Sequence, residues 1–171
     1  MRGALVLLLA LSACAAEGTA PGATVAVGDC NAGRDWPAAE PGAARLRTLV
    51  NAHRASRGLP ALRADPRLDA AAEWKARHTA WLRYLEHDDR APPIRRTFTA
   101  RIEACGFRAL GAAENIASGD PTPEAVMRTW LASPAHRRNM EGAEYTHFGV
   151  GAARGANGMI YWAQDFARAG M

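Results

Sequence analysis

The 171-residue chain carries five histidines, His53, His78, His87, His136 and His147. They are the side chains best suited to acid–base or metal chemistry near neutral pH. None pairs with another at a local metal-ligand spacing, because the gaps suit neither a zincin helix nor a zinc finger. No GxSxG elbow, HExxH, P-loop or CxxC is present. Ser133 lies three residues before His136 and would share its helix face, yet Ser133 directly precedes Pro134 and reads more simply as a helix cap. Spacing alone therefore identifies no catalytic or metal site.

The cysteines say more. The chain opens Met1-Arg2, continues as an apolar run from Ala4 to Leu11, and reaches Leu11-Ser12-Ala13-Cys14. A charged start, a short apolar core and small residues at the cut are the parts of a secretory signal. The run is too short for a transmembrane helix, which needs roughly 20 apolar residues. Leu-Ser-Ala-Cys resembles the bacterial lipobox, in which the cysteine is lipid-modified and becomes the first residue; the alternative is a plain signal cut nearby. With Cys14 lipidated, Cys30 and Cys105 remain as an even pair in an oxidising compartment. A bridge between them would close a loop of about 75 residues and stabilise by roughly 4 kcal/mol on the chain-entropy model. The alternative is two free thiols, with Cys105 buried as a small hydrophobe.

Residues 15–41 are rich in Ala, Gly and Pro and poor in large apolar side chains, so they read as a flexible tether. Residues 42–171 are long enough for one domain with its own core. The 21 Lys and Arg residues include a single lysine, Lys75, a bias that looks as much like genome composition as chemistry. The net charge of +4 is modest and scattered. Without a basic run interleaved with aromatics, the pattern gives no argument for a nucleic-acid partner.

Helical spacing of Leu46, Leu49, Val50 and His53 predicts a first helix from Ala43 to Arg57, stopped at Gly58. Asp65-Pro66, Thr122-Pro123 and Ser133-Pro134 each place a capping side chain before a proline and predict three further helix starts. The first of these runs to about Leu85, and the second to Leu131. Another helix is expected from about Ile94 to Ala104. Asp88 and Asp89 read as a solvated loop. Near the end, 148–153 and 159–166 have strand character around Asn157-Gly158, which marks a hairpin, and a third strand is expected near Phe107 to Leu110. Helices first and a hairpin last argue an α+β domain.

Several segments in order resemble the CAP superfamily of SCP/PR1-like, cysteine-rich secretory proteins, in its short bacterial branch. They include Leu49-Val50-Asn51-Ala52-His53-Arg54 and Arg101-Ile102-Glu103-Ala104-Cys105-Gly106-Phe107. Ala113-Glu114-Asn115-Ile116-Ala117 is similar to the G-E-N-[IL]-A signature, and 130–140 to W-x-x-S-P-x-H-R-x-N-[ILM]. Tyr161-Trp162-Ala163-Gln164-Asp165-Phe166 resembles the terminal strand. The resemblance implies a three-layer α-β-α sandwich with a small antiparallel sheet, in which Trp130 and Trp162 would be core. It also implies a cavity lined by two histidines and acids, which in some members holds a divalent metal such as zinc. Carried over, these are His87, His136 and Glu114. Where animal and plant members have a second glutamate, this chain has Ser133, so the acidic set is incomplete. The leading expectation is a lipid-anchored envelope module that binds a lipid, a cell-wall component or a protein. The alternative is a zinc-assisted hydrolase with Glu114 as its base; a third is a structural protein with a vestigial cavity.

Overall fold

The computed structural model describes residues 30, 35–90 and 97–170. The expected signal, Cys14 and all of the tether before residue 35 except Cys30 fall outside the described residues.

Helix α1 (Ala43–Ser56) buries Leu46, Val50 and Arg54, one turn apart along a single face. Gly58, at φ 69°, takes the chain out of it in a conformation that glycine adopts without strain. A two-residue strand β1 (Arg63–Ala64) follows. Helix α2 (Pro66–Leu82) starts as the sequence predicts, with the Asp65 carboxylate accepting from the Arg67 backbone N–H at 2.9 Å. It stops short of the expected Leu85, because Arg83 turns into the left-handed region at φ 54°. Helix α3 (Phe98–Ala104) is shorter than expected and begins at Thr97, whose Oγ1 accepts from Ala100 N at 3.3 Å.

Strand β2 (Ala109–Ser118) runs well beyond the expected Phe107–Leu110 and carries Glu114 and Asn115 at its centre. Its Ala- and Gly-rich composition hides it from propensity, and it exists because it pairs along its length with β4. Helices α4 (Pro123–Ala132) and α5 (Pro134–Glu141) follow, then the hairpin of β3 (His147–Arg154) and β4 (Ile160–Ala169). The strand order is β1-β3-β4-β2. The β3–β4 and β4–β2 pairs are antiparallel as expected, whereas β1 lies parallel to β3, so the sheet is mixed. A two-residue strand has no periodicity to read in advance.

Two helical layers cover the sheet. On one face, Leu46 and Val50 of α1 and Val126, Met127 and Trp130 of α4 pack with Met140 against Phe148, Val150, Trp162 and Phe166. On the other, Ala72, Ala76 and Ala80 of α2 pack against Ile116, Ala153, Tyr161 and Ala163, and α3 closes the end through Ile102 and Cys105. The α2 layer lies unusually close to β3. A Cβ on Gly149 would sit 2.0 Å from the Leu68 carbonyl carbon, and one on Gly151 would sit 2.3 Å from Glu73 N. Only glycine lets the helix backbone approach the strand this closely.

Cys30 and Cys105 form a disulfide across a separation of 75 residues. The stretch expected to be a tether is packed in its last part. Trp36 meets Trp74 edge-on at 4.8 Å, Arg77 donates to Pro37 O at 2.8 Å, and Ala39 bridges Ala153. Residues 35–41 therefore belong to the domain, a correction to the boundary drawn at residue 42.

Candidate functional site

The five histidines separate by environment. His53 Nε2 meets Glu141 at 2.9 Å, buried His78 meets the Tyr84 hydroxyl at 2.6 Å, and His147 lies beside Thr146 and the Phe107 ring. His87 and His136 share one locality with Glu114. His87 Nδ1 lies 2.8 Å from Glu114 Oε1, and the charge of His87 is felt at His136.

The locality is assembled at the centre of β2. Glu114 points to the α2 face of the sheet, where its side chain is fully buried. Its other oxygen, Oε2, accepts from Nη2 of Arg101, whose guanidinium is also fully buried on α3. A carboxylate bonded to arginine only accepts, so His87 donates to it through Nδ1. The His87 side chain is 50% exposed, so its ring is open to solvent.

His136 comes from the opposite helical layer. Asn115 Nδ2 donates to its carbonyl at 3.1 Å, and Asn139 Nδ2 donates to Asn115 Oδ1 at 2.9 Å and to Glu114 O at 3.3 Å. Asn115 and Asn139 thus stitch α5 to β2. Arg137 donates to Leu131 O at 3.0 Å. Burial, and then the charge of His87, push the His136 imidazole below its usual pKa and favour its neutral form. Its Nδ1 is buried with no hydrogen-bond partner among the described residues. Ser133 holds the N-cap position of α5, but its hydroxyl makes no capping bond.

The segment bearing His87 is fixed from beneath by a residue the sequence reading placed in solvent. Asp88 is exposed as expected, but Asp89 is buried. The Asp89 carboxylate accepts from Trp74 Nε1 at 3.1 Å, Lys75 Nζ at 3.2 Å and Arg101 Nη1 at 3.1 Å, with His78 Nδ1 at 3.4 Å. Burial opposes its charge, but the contact with His78 and the charges of Arg101 and Lys75 prevail and hold its pKa at about 2. Lys75 is pushed below its ordinary pKa by burial and then by the charge of Arg101. Arg101 therefore joins Asp89, which holds the loop, to Glu114, which orients His87. The available signal for this cluster in the sequence was Lys75, the single lysine in an arginine-rich chain.

The expected metal set fits this geometry poorly. Among the described residues, no three His, Cys, Asp or Glu side chains form a group able to hold a metal ion. Glu114 presents neither oxygen outward, since one meets His87 and the other Arg101.

Comparison with known proteins places this arrangement in context. Residues 47–166 match the model of the cysteine-rich secretory protein (CAP) family. The chain is 35% identical over 118 residues to the uncharacterised protein YkwD of Bacillus subtilis strain 168, covering 69% of this chain and 44% of that protein. It therefore spans less than half of that relative's length. An extracellular, SCP-domain protein of Bacillus anthracis superposes with a TM-score of 0.65 at 26% identity, over 74% of this chain and 40% of its own. An outer surface protein of Borrelia burgdorferi gives 0.65 at 20% identity, over 74% and 92%, a likeness of fold. With the family's matched span covering both His87 and His136, and the α-β-α layering around them as described, the chain belongs to the cysteine-rich secretory protein (CAP) family.

Proposed function

We propose that this chain is an exported envelope protein, carried to a membrane by a lipid on Cys14, whose CAP domain binds an envelope ligand at the His87–Glu114–His136 site. The ligand is a lipid, a cell-wall fragment or a protein surface that hydrogen-bonds the two imidazoles. The observation that carries this reading is the full burial of Glu114 between Arg101 and His87. An acid held there orients a histidine; it is poorly placed to take a proton from water. His87, half exposed and held from behind through Nδ1, is a pre-oriented imidazole. Export is supported by the Cys30–Cys105 bridge, which persists in oxidising compartments, and by the extracellular description of the Bacillus anthracis relative. No helix among the described residues is long and apolar enough to cross a membrane.

The test titrates the full chain, purified without chelators, with phosphatidylglycerol vesicles and with peptidoglycan fragments, beside a His87→Ala, His136→Ala double variant. Saturable binding to one of them, lost in the variant at unchanged melting temperature, is the expected result. Near-stoichiometric zinc that disappears in the double variant, together with turnover of the bound fragment, would overturn the reading in favour of a metal-assisted hydrolase.

A further inference from the structure

Among the described residues, five large apolar side chains are exposed, and three of them fall within residues 81–85. Trp81 is 49% exposed, Leu82 37% and Leu85 46%. They lie where α2 ends. The left-handed turn at Arg83 carries the chain past the helix end, and between the two leucines Tyr84 turns inward, its hydroxyl meeting His78 and Lys75. The patch has a packed floor. The Trp81 ring lies 6.3 Å from that of Trp36 and 6.2 Å from that of His78, centroid to centroid, and Arg77 donates to Trp36 O at 3.4 Å. Of the charged side chains nearby, Glu73 pairs with Arg77 and Glu86 with Arg90. Arg83, inside the patch, has no acid partner among the described residues, and Asp88 is exposed three positions beyond Leu85. An indole and two leucines grouped in water mark a contact surface, whereas single exposed apolar residues do not.

We propose that residues 81–85 are a membrane-contact face, in which Trp81, Leu82 and Leu85 enter the boundary between headgroups and acyl chains and Arg83 meets an anionic lipid phosphate. The chemistry favours a bilayer over the other surfaces of an envelope. Tryptophan settles at a bilayer's interface, with an apolar ring and one N–H for the headgroup layer. Leucines beside it gain by leaving water for acyl chains. An arginine between them buries its apolar stem and reaches phosphate with its head. A sugar would need polar partners around the indole, and within residues 81–85 the polar side chains are Arg83 and the buried Tyr84. The reach of the anchor agrees. Cys30 packs with Leu68 and Cys105 at the far end of α2. From Leu68 to Leu82 the helix is about 21 Å long. The 16 residues from Cys14 to Cys30 span up to about 50 Å when extended. A lipid on Cys14 and the patch can therefore enter the same leaflet. Leu85 lies two residues before His87, so the contact brings that half-exposed ring to the membrane surface.

This inference rests on the reading of Cys14 as an anchor, and its test separates the two. The full chain, purified from membranes, is reconstituted with vesicles of phosphatidylglycerol and phosphatidylethanolamine brominated on the upper acyl chain, and the vesicle-bound fraction is isolated by flotation. Tryptophan emission is compared between the parent and Trp81→Phe, so that the difference reports Trp81. The brominated lipid should quench that difference; an unquenched Trp81 on vesicle-bound protein overturns the proposal. Chain with an unmodified Cys14 should bind the same vesicles about tenfold or more tightly than its Trp81→Ser, Leu82→Ser, Leu85→Ser variant. Equal binding by the two overturns it. So does shielding of Trp81 by wall glycan or by a second copy of the chain, with no quenching by lipid. If Trp81 is quenched while mass spectrometry finds Cys14 bare, or while the His87→Ala, His136→Ala variant binds every ligand as the parent does, the earlier reading fails and this proposal stands.

Discussion

The two faces of the sheet are built on different physics. The face toward α1, α4 and α5 is mainly an apolar core, in which Trp130 and Phe166 have no exposed surface and Trp162 has 2%, with Arg54, Asn115 and Gln164 buried beside them. The face toward α2 and α3 buries Lys75, Asp89, Arg101, Glu114 and Asp165 among alanines. The first face gains stability from area removed from water. The second gains little from its ions, because desolvation offsets most of their attraction. It gains geometry instead, since the loop holding His87 and the acid orienting it are both tied to Arg101. His87 and Glu114 are set on the specific face and His136 is brought to them from the other, which supplies the stability.

The largest effects should expose this contrast. Arg101→Leu leaves the buried Glu114 carboxylate without a cation and takes from Asp89 one of its two, Lys75 remaining, and should cost about 3–5 kcal/mol. Trp130→Ala should cost a similar 3–5 kcal/mol by leaving a cavity. Urea denaturation gives both losses. The His87 resonances separate them, moving in the Arg101 variant and staying put in the Trp130 variant. If both variants shift His87 alike, the two faces are not independent. Next is Gly149→Ala, whose Cβ would meet the α2 backbone at Leu68. A loss of about 3 kcal/mol is expected, since neither helix nor strand can yield without moving Asp165, its neighbour on β4.

A smaller effect appears in acid. The folded pKa of Asp89, about 2, lies below its ordinary value of 3.8, so its contribution is present above about pH 4 and fades as pH falls through 2. The size is about 2 kcal/mol, from 1.36 kcal/mol per unit. Asp89→Asn should remove this part of the acid slope, measured by urea melts from about pH 2 to about pH 5. Variants in the apolar face should lower the whole curve and leave its shape unchanged.

The apolar face was the more legible of the two in the sequence. Leu46 and Val50 at helical spacing, Trp130 and Trp162 as core, the Asn157-Gly158 hairpin and the Cys30–Cys105 pair all appear in the fold. Each is signalled by periodicity, size or local turn chemistry. The ionic face was not legible in this way. Asp89 looked like a solvated loop acid, since its partners come from 14 and 15 positions back on α2 and 12 ahead on α3. Asp165 follows Gln164 in a run otherwise apolar from Tyr161 to Phe166, and an acid in a central strand was the available clue. Glu114 and His87 were found only through the family motif, which names residues without saying which way an oxygen points.

The smallest prediction concerns the helix starts, where three identical sequence devices gave two outcomes. Asp65 and Thr122 cap their helices through the side chain, Thr122 Oγ1 accepting from Ala125 N at 3.2 Å. Ser133, equally placed before a proline, leaves its hydroxyl out of the cap. The difference arises because α4 runs almost directly into α5, so Ser133 closes one helix and opens the next. Its backbone N–H is drawn to Trp130 O at 3.2 Å, while its carbonyl accepts from Arg137 N at 2.9 Å. With the backbone already committed in both directions, the hydroxyl adds nothing to stability. Thr122→Ala should therefore cost about 1 kcal/mol. Ser133→Ala should stay within about 0.5 kcal/mol, the range of a neutral surface change. Thermal melts of the two variants decide it, and an equal loss in both would restore Ser133 to the capping role its sequence suggests.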